Sequence, residues 1–360
     1  MSLLHLAVKY RQEECIKIIL DYNIPAKNFG KDINGNSPLH LSCDWRNVNV
    51  FNLLSKKYYS ILRQKNKMGQ NVLYCCTKNN NIECIKILLQ YLCKSDIDEP
   101  ENETENSPFI LSILNRNLEI AKILYQHGAD VNFSNKRGMT ALHFCAIRGN
   151  ERFAKRLIEW GANVNCANEH GLTPLIFSAR GGKIKLINLL LKNKADINCG
   201  DNDKWTALHH SVKTKNEDVV KMLLKNQAII NCKNKFGKSP IILACSSNLP
   251  SMIRILLNNI TDPKQFPTNS RKKALTICQN HGYKECEKII QTCINTEDMT
   301  GKFLRVKTIN RLMVRSQQQG SIVTIRRSLI STTIGTKRSK RKRRSKPNRS
   351  PSVLEWFYHF

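Results

Sequence analysis

The stretch Gly138-Met139-Thr140-Ala141-Leu142-His143-Phe144-Cys145-Ala146 decides the fold of this chain. Near copies of it begin at Gly171, Trp205 and Gly237. Its hydroxyl residue recurs every 33 positions, at Thr140, Thr173, Thr206 and Ser239. A period of this size is typical of proteins in which one small helical or helix–turn unit stacks on the next.

The residue types in the stretch predict the start of a helix. Thr or Ser accepts a backbone hydrogen bond as the N-cap, and Pro174 or Pro240 suits the first helical position, where no N–H is needed. The glycine before the hydroxyl residue permits the positive φ of a tight turn. The Leu and Ala that follow lie at helical spacing, which gives the helix one apolar face.

Weaker copies extend the pattern through most of the chain. A second apolar rhythm follows each copy at constant distance, as in residues 81–89, 117–124 and 219–224, and predicts a second helix. The turn 128–132 has echoes at 161–165 and 194–198. The positions equivalent to Leu142 are Leu4, Leu39, Leu73, Phe109, Leu142, Leu175, Leu208, Ile241 and Leu275.

This pattern resembles the ankyrin repeat family, whose signature reads Gly-x-Thr-Pro-Leu-His-x-Ala. The resemblance implies a hairpin turn and two antiparallel helices in each repeat. We therefore predict an all-α ankyrin-repeat solenoid of about nine helix–turn–helix repeats over residues 1–295, with the first and last degenerate. A largely disordered basic tail is predicted for residues 296–360.

The resemblance also implies protein binding through the hairpin tips and the inner face of the first helices. Most residues at these positions are basic or aromatic, so we predict a protein partner with an acidic segment, although the same residues could be ordinary solvated positions. The predicted contact residues are Trp45, Lys136, Arg137, Met139, Arg148, His170, Arg180, Trp205, Lys213 and Phe236.

The net charge of +30 is concentrated at the end of the chain. Residues 301–360 contain 16 Lys and Arg and one acid, Glu355, which gives +15. A basic run there is typical of a nuclear-import signal read by an importin, or of a patch for polyanions such as nucleic acid. Residues 302–315 predict either a basic amphipathic helix, suited to calmodulin or a membrane surface, or a helix packed on the last repeat. The basic run comprises Lys337, Arg338, Lys340, Arg341, Lys342, Arg343, Arg344 and Lys346.

Histidine and cysteine in this chain favour structural roles. The motif histidines His5, His40, His143 and His209 occur one per repeat, too far apart to share a metal ion. Cys166, Cys199 and Cys232 occupy one repeat position, and stacked helices lie about 8–10 Å apart, beyond the roughly 7 Å that a disulfide spans. We predict reduced thiols and no cofactor.

No motif for catalysis is recognisable. Residues 94–106 form one acidic insertion, which is interpreted as a solvated hairpin or as an internal partner of the basic tail. We predict a cytoplasmic or nuclear, non-enzymatic adaptor or scaffold with no small-molecule substrate and no membrane span. The alternatives are a nuclear, nucleic-acid-associated regulator that uses the tail, or a fragment of a larger protein such as a channel or ubiquitin-ligase adaptor.

Overall fold

The computed structural model of this chain describes residues 1–22, 24–25, 28–43 and 48–300, and their side chains except those of residues 263 and 296–300. Trp45, the amphipathic segment 302–315 and the basic run 337–346 lie outside the described residues. Secondary structure in the described part is helical, and β pairing there is limited to isolated bridge residues, among them Ser134 paired with Thr140. The all-α prediction is therefore confirmed.

The chain divides into two compact units, Met1–Asp203 and Lys204–Phe360, the second described as far as residue 300. Helices occur in pairs, and we call the first of each pair inner and the second outer. The pairs of the first unit are α1 Leu3–Lys9 and α2 Glu13–Asp21, α3 Pro38–Ser42 and α4 Val48–Lys57, α5 Val72–Lys78 and α6 Ile82–Leu88, α8 Pro108–Leu114 and α9 Leu118–Gln126, α10 Ala141–Arg148 and α11 Glu151–Glu159, and α12 Pro174–Arg180 and α13 Ile184–Lys192. A short extra helix, α7 Lys94–Ile97, lies in the acidic insertion.

Three more pairs make up the described part of the second unit. Within each unit, like helices stack on like: α10 packs against α8 and α12, and α16 packs against α14 and α18. The pairs are α14 Ala207–Lys213 and α15 Glu217–Lys225, α16 Pro240–Ser246 and α17 Pro250–Asn258, and α18 Thr268–Asn280 and α19 Lys284–Thr300. The nine pairs in the described residues agree with the predicted repeat number.

Local hydrogen bonds explain where the helices begin. The Thr173 hydroxyl accepts from the Ile176 N–H at 3.4 Å, and Pro174 holds the first helical position, as predicted. Four outer helices, α6, α9, α11 and α15, use asparagine in the same role: the Asn150 side chain, for example, accepts from the Phe153 N–H at 3.3 Å. The sequence interpretation did not identify these asparagine caps.

Most hairpins before the inner helices are closed by an Asp or Asn side chain. Asn168 Oδ1 accepts the backbone N–H of His170 at 3.1 Å and of Leu172 at 2.9 Å. Successive hairpins then pair, because the Asn202 N–H donates to the His170 carbonyl at 3.0 Å. At Gly171, where φ is +74°, a Cβ atom would lie 2.6 Å from the Asn202 nitrogen, so both the turn and the close approach require glycine.

The last repeat corrects one prediction. The weak copy around Leu275 predicts a helix that starts at residue 273. Helix α18 instead starts five residues earlier, at Thr268. Pro267 is the N-cap, with extended backbone at φ −65° and ψ 156°, and the helix follows directly. Ala274 and Cys278 are therefore buried inside a longer helix.

The acidic insertion is part of the folded first unit. The Arg63 guanidinium contacts Asp96 at 2.9 Å, and Lys65 pairs with Glu99. Glu101 is 4% exposed, and its carboxylate accepts the backbone N–H groups of Glu103 and Thr104. Glu101 thus closes this hairpin in place of the usual Asp or Asn, and the interpretation of a merely solvated hairpin is wrong for these residues.

Candidate functional site

Each motif histidine joins its own repeat to the next one. His143 is buried, and its Nδ1 accepts the Thr140 backbone N–H and hydroxyl, both at 3.0 Å. Its Nε2–H donates to the Leu172 carbonyl, 29 residues away, at 3.0 Å. The same pattern recurs at His5, His40 and His209. The predicted structural role of these histidines is confirmed.

A cysteine lies beside this histidine, but the pair is not built for nucleophilic chemistry. Cys166 Sγ lies 3.4 Å from Thr140 Oγ1 and 3.8 Å from His143 Nδ1. Burial raises the pKa of the Cys166 thiol and lowers the pKa of His143 to about 4. A reactive cysteine needs a thiolate and a base free to take its proton, whereas here both groups are held neutral and Nδ1 is already occupied.

Half-exposed apolar side chains run along the inner helices of three neighbouring repeats. Leu114 on α8, Ile147 on α10 and Phe177 on α12 pack on a buried cluster and keep part of their surface accessible. We call these three residues the apolar strip. The Phe177 ring meets His143 edge-on, with centroids 5.8 Å apart, so the ring is held in place by the histidine that joins the repeats.

Three arginines border this strip at the C-terminal ends of the same helices, and we call Arg116, Arg148 and Arg180 the arginine rim. Arg148 Nη1 donates to the Leu114 carbonyl, which ties its guanidinium to the preceding inner helix. Burial lowers the pKa of Arg148, and the charge of Arg116 lowers it further, so these two like charges lie close together. Burial also lowers the pKa of Arg180, while Asp201 acts to raise it. Arginine stays charged despite such shifts.

The structure places the predicted tip residues of the first unit in two different environments. Lys136, Arg137 and His170 are exposed on hairpin tips, and His170 Nε2 lies 3.4 Å from Glu169 Oε1. Met139 is 7% exposed, and the Asn168 side-chain N–H contacts its sulfur at 3.4 Å. The prediction that Met139 contacts a partner is wrong, because its side chain fills the core under the apolar strip.

The predicted residues of the second unit form a surface of their own. Lys213 Nζ lies 5.2 Å from the centre of the Trp205 ring, within the range of a cation–π contact. Trp205 also packs near His210, with ring centroids 5.4 Å apart. Phe236 is 64% exposed at the tip of the following hairpin.

The predicted contact residues include none of the apolar strip, Leu114, Ile147 and Phe177, and lack one member of the arginine rim, Arg116. The sequence contains a signal for Leu114, since this residue lies 33 positions before Ile147 and shares its repeat position. Arg116 has no such signal, because it follows α8 in a left-handed conformation with φ 58°.

None of the helices described up to residue 300 combines the length and apolar character needed to cross a lipid bilayer. In the same residues, no group of three or more His, Cys, Asp or Glu side chains is arranged to hold a metal ion.

Comparison with known proteins gives the family. The family model for ankyrin repeats matches three copies, at residues 1–65, 73–168 and 142–234, more than half of the chain. The chain is 28% identical over 149 residues to the B-cell lymphoma 3 protein homolog of Mus musculus, and 29% identical over 149 residues to the nuclear factor NF-kappa-B p105 subunit of Gallus gallus. It is 31% identical over 86 residues to the Notch-regulated ankyrin repeat-containing protein A of Danio rerio.

These matches cover 41%, 41% and 23% of this chain, in the same order. They span 32% and 15% of the first two relatives and 74% of the third. The repeats that the family shares are modules of protein–protein interaction, and a role in protein–protein interaction follows for this chain. With the signature residues, the hairpins and the paired helices all in place, the chain belongs to the ankyrin repeat family.

Proposed function

We propose that this chain is a non-enzymatic adaptor whose first unit binds an extended acidic segment of a partner protein. The observation that carries this proposal is the arginine rim lying beside the apolar strip on the inner helices α8, α10 and α12. Interfaces of this kind draw their binding energy from arginine and from well-packed apolar or aromatic side chains.

The arginine rim and the apolar strip would bind different parts of the same ligand. Guanidinium groups bind carboxylates through paired, charge-assisted hydrogen bonds. A carboxylate near Arg116 and Arg148 would also relieve the repulsion between these two cations, which is visible in the lowered pKa of Arg148. Apolar ligand side chains would cover the accessible surface of Leu114, Ile147 and Phe177, at roughly 25 cal/mol per Å² of apolar area removed from water.

The repeat spacing favours a particular ligand pattern. Neighbouring inner helices lie about 8–10 Å apart, and an extended chain advances about 3.3 Å per residue. One repeat therefore matches about three ligand residues, so the expected ligand carries an acid at every third position. The hairpin tips add less selectivity, because the exposed acids Glu103 and Glu169 lie among the cations Lys136 and Arg137.

A binding measurement with a designed peptide tests this proposal. The probe is a fluorescent 15-residue peptide that repeats Glu-Leu-Ser, compared with a scrambled peptide of the same composition. We expect the double substitution Arg116→Gln and Arg180→Gln to weaken binding of the repeating peptide by at least about tenfold, since charge-assisted hydrogen bonds contribute about 1.5–3 kcal/mol each.

The matched control removes the same charge elsewhere on the first unit. Lys155 and Lys192 are exposed on the outer helices α11 and α13, whereas the apolar strip is on the inner helices. The variant Lys155→Gln with Lys192→Gln should keep the wild-type affinity. Equal losses in the two variants, or equal binding of the scrambled peptide, would show that the effect is general charge attraction and would reject the apolar strip and arginine rim as the peptide site.

The basic run 337–346 supports a second, compatible proposal: it directs the chain to the nucleus through an importin. Its eight cations in ten residues support this, and one relative carries the name nuclear factor. We expect a fluorescent fusion of the full chain to accumulate in nuclei and a fusion with these eight residues changed to Gln to remain cytoplasmic. Unchanged nuclear accumulation would rule out the signal, and a loss of nucleic-acid retention alone would favour a polyanion patch.

A further inference from the structure

Charge is distributed unevenly over the described part of the second unit. Segments 204–216 and 229–239, which contribute the inner helix α14 and the hairpin before α16, contain six lysines and no acidic residue. The lysines are Lys204, Lys213, Lys215, Lys233, Lys235 and Lys238.

The acids in the described part of this unit lie on other elements and are partly neutralised there. On the outer helix α15, Lys221 contacts Glu217 at 3.5 Å and Asp218 at 3.7 Å. On α19, Glu285 contacts Arg254 at 3.2 Å. Even with Asp201 and Asp203, which precede Lys204 in the chain, these segments hold six lysines against two acids. This excess of positive charge attracts a polyanion over a distance of about 10 Å at ordinary salt.

The same two segments contain the aromatic residues Trp205 and Phe236. The hairpin backbone is held by Asn234, whose Oδ1 accepts the N–H groups of Phe236 at 3.0 Å and of Lys238 at 2.9 Å. The turn leaves the Phe236 ring 64% exposed. Nearby, His209 Nε2–H donates to the Lys238 carbonyl at 3.1 Å, which ties the hairpin to α14, where Lys213 lies over Trp205.

We propose that this lysine–aromatic surface binds single-stranded nucleic acid, with the lysines on phosphates and Phe236 stacked on a base. We define the surface by Trp205, Lys213, Lys235, Phe236 and Lys238. Single-stranded nucleic acid is bound without sequence preference by this combination of a positive surface and exposed rings. The inference is independent of the acidic-peptide proposal, which concerns the first unit.

The character of the surface favours nucleic acid over an acidic peptide. Phe236 lies between Lys235 and Lys238 in its hairpin, whereas the apolar strip is on the inner helices of the first unit, so an apolar peptide side chain would find little surface to cover beside Phe236. A base is a flat ring system that gains from one ring face alone. Lysine binds phosphate as a point charge, whereas the first unit presents arginine beside apolar side chains.

The test uses the full chain and a fluorescent 15-nucleotide oligothymidylate. We expect Phe236→Ala to weaken binding on the order of tenfold, which is the loss expected for one stacked base. The matched control is Met68→Ala, since Met68 occupies the same turn position of another hairpin and is 51% exposed. The control variant should bind the oligonucleotide with the wild-type affinity. The basic tail is present in every variant, so it does not account for a difference between them.

The lysines are tested through salt dependence. Each phosphate contact on a single strand contributes about 0.7 to the slope of log affinity against log salt. The triple substitution Lys213→Gln, Lys235→Gln and Lys238→Gln should therefore reduce that slope by about 2. A triple change of Lys56, Lys57 and Lys86 to Gln, all in the first unit, gives the slope change due to overall charge alone.

Photo-crosslinking locates the contact without relying on affinity. With 5-iodouridine in the oligonucleotide, adducts on the peptide that contains Phe236 support the proposal. Adducts restricted to residues 301–360, with equal affinities for Phe236→Ala and Met68→Ala, would overturn it. It would also be overturned if a 15-residue poly-glutamate peptide bound to the wild-type chain and lost as much affinity on Phe236→Ala as the oligonucleotide does.

Discussion

Replacement of His143 by alanine is expected to destabilise the chain by about 3 kcal/mol, because buried polar groups left without partners cost about 1–3 kcal/mol each. The substitution removes the acceptor of the Thr140 N–H and hydroxyl and the donor to the Leu172 carbonyl. These groups lie inside the first unit, where water does not replace the lost bonds. The edge-on support of Phe177 disappears at the same time.

Urea denaturation followed by far-UV circular dichroism measures this loss. His127→Ala is the matched control, because His127 is exposed and its Nδ1 only contacts the Ile123 carbonyl one helical turn earlier. We expect the control to change the unfolding free energy by less than about 0.5 kcal/mol. Similar midpoints for the two variants would mean that the bond between repeats contributes little to stability.

Acidification from pH 7 to about pH 4 is expected to remove about 3 kcal/mol of stability through His143 alone. Burial lowers the pKa of His143 from its ordinary 6.5 to about 4 in the folded chain. As the pH falls below 6.5, the unfolded chain therefore takes up a proton that the folded chain does not, and unfolding becomes easier until the pH reaches about 4. Burial also lowers the pKa of His5 and His40, which act in the same direction.

The variant His143→Gln isolates this effect, because glutamine retains a donor for the Leu172 carbonyl but does not titrate. Its unfolding free energy should fall less steeply than that of the wild type between pH 7 and pH 4.5. Burial acts to raise the pKa values of Asp32 and Glu101, but hydrogen bonds outweigh it and lower both. Their stabilising contribution is present above their ordinary values of 3.8 and 4.5 and is lost at lower pH. If the unfolding free energies of the wild type and of His143→Gln fall in parallel with pH, His143 is not the group that causes this loss of stability.

The fold was predictable because each repeat start is specified within a few residues. Thr173 caps its own helix three residues ahead, and Asn168 closes a turn within four residues. Such short-range bonds leave residue types at constant spacing, and 33-residue periodicity makes them easy to recognise. The last repeat departs from this rule, since Pro267 starts α18 before the weak motif at residue 273.

The candidate site was less predictable, because repeat register gives a position along an element but not the depth of a side chain. Met139 and Lys238 follow their hairpin glycines at the same position, yet Met139 is buried on Ile110 and Phe144 while Lys238 is half-exposed. The neighbours that decide this burial come from other repeats. Arg116 likewise joins Arg148 only because adjacent inner helices end side by side.

By itself, the sequence determined the repeat period, the all-α class and the family, and it indicated a structural role for the motif histidines, because local capping and turn chemistry is carried by residues three or four apart. Tertiary structure alone decided that Glu101 replaces the usual turn residue, that Met139 is core, and that Leu114, Ile147 and Phe177 form one accessible strip. The physical reason is that burial depends on contacts between residues about 30 positions apart, and these contacts exist only after neighbouring repeats have packed.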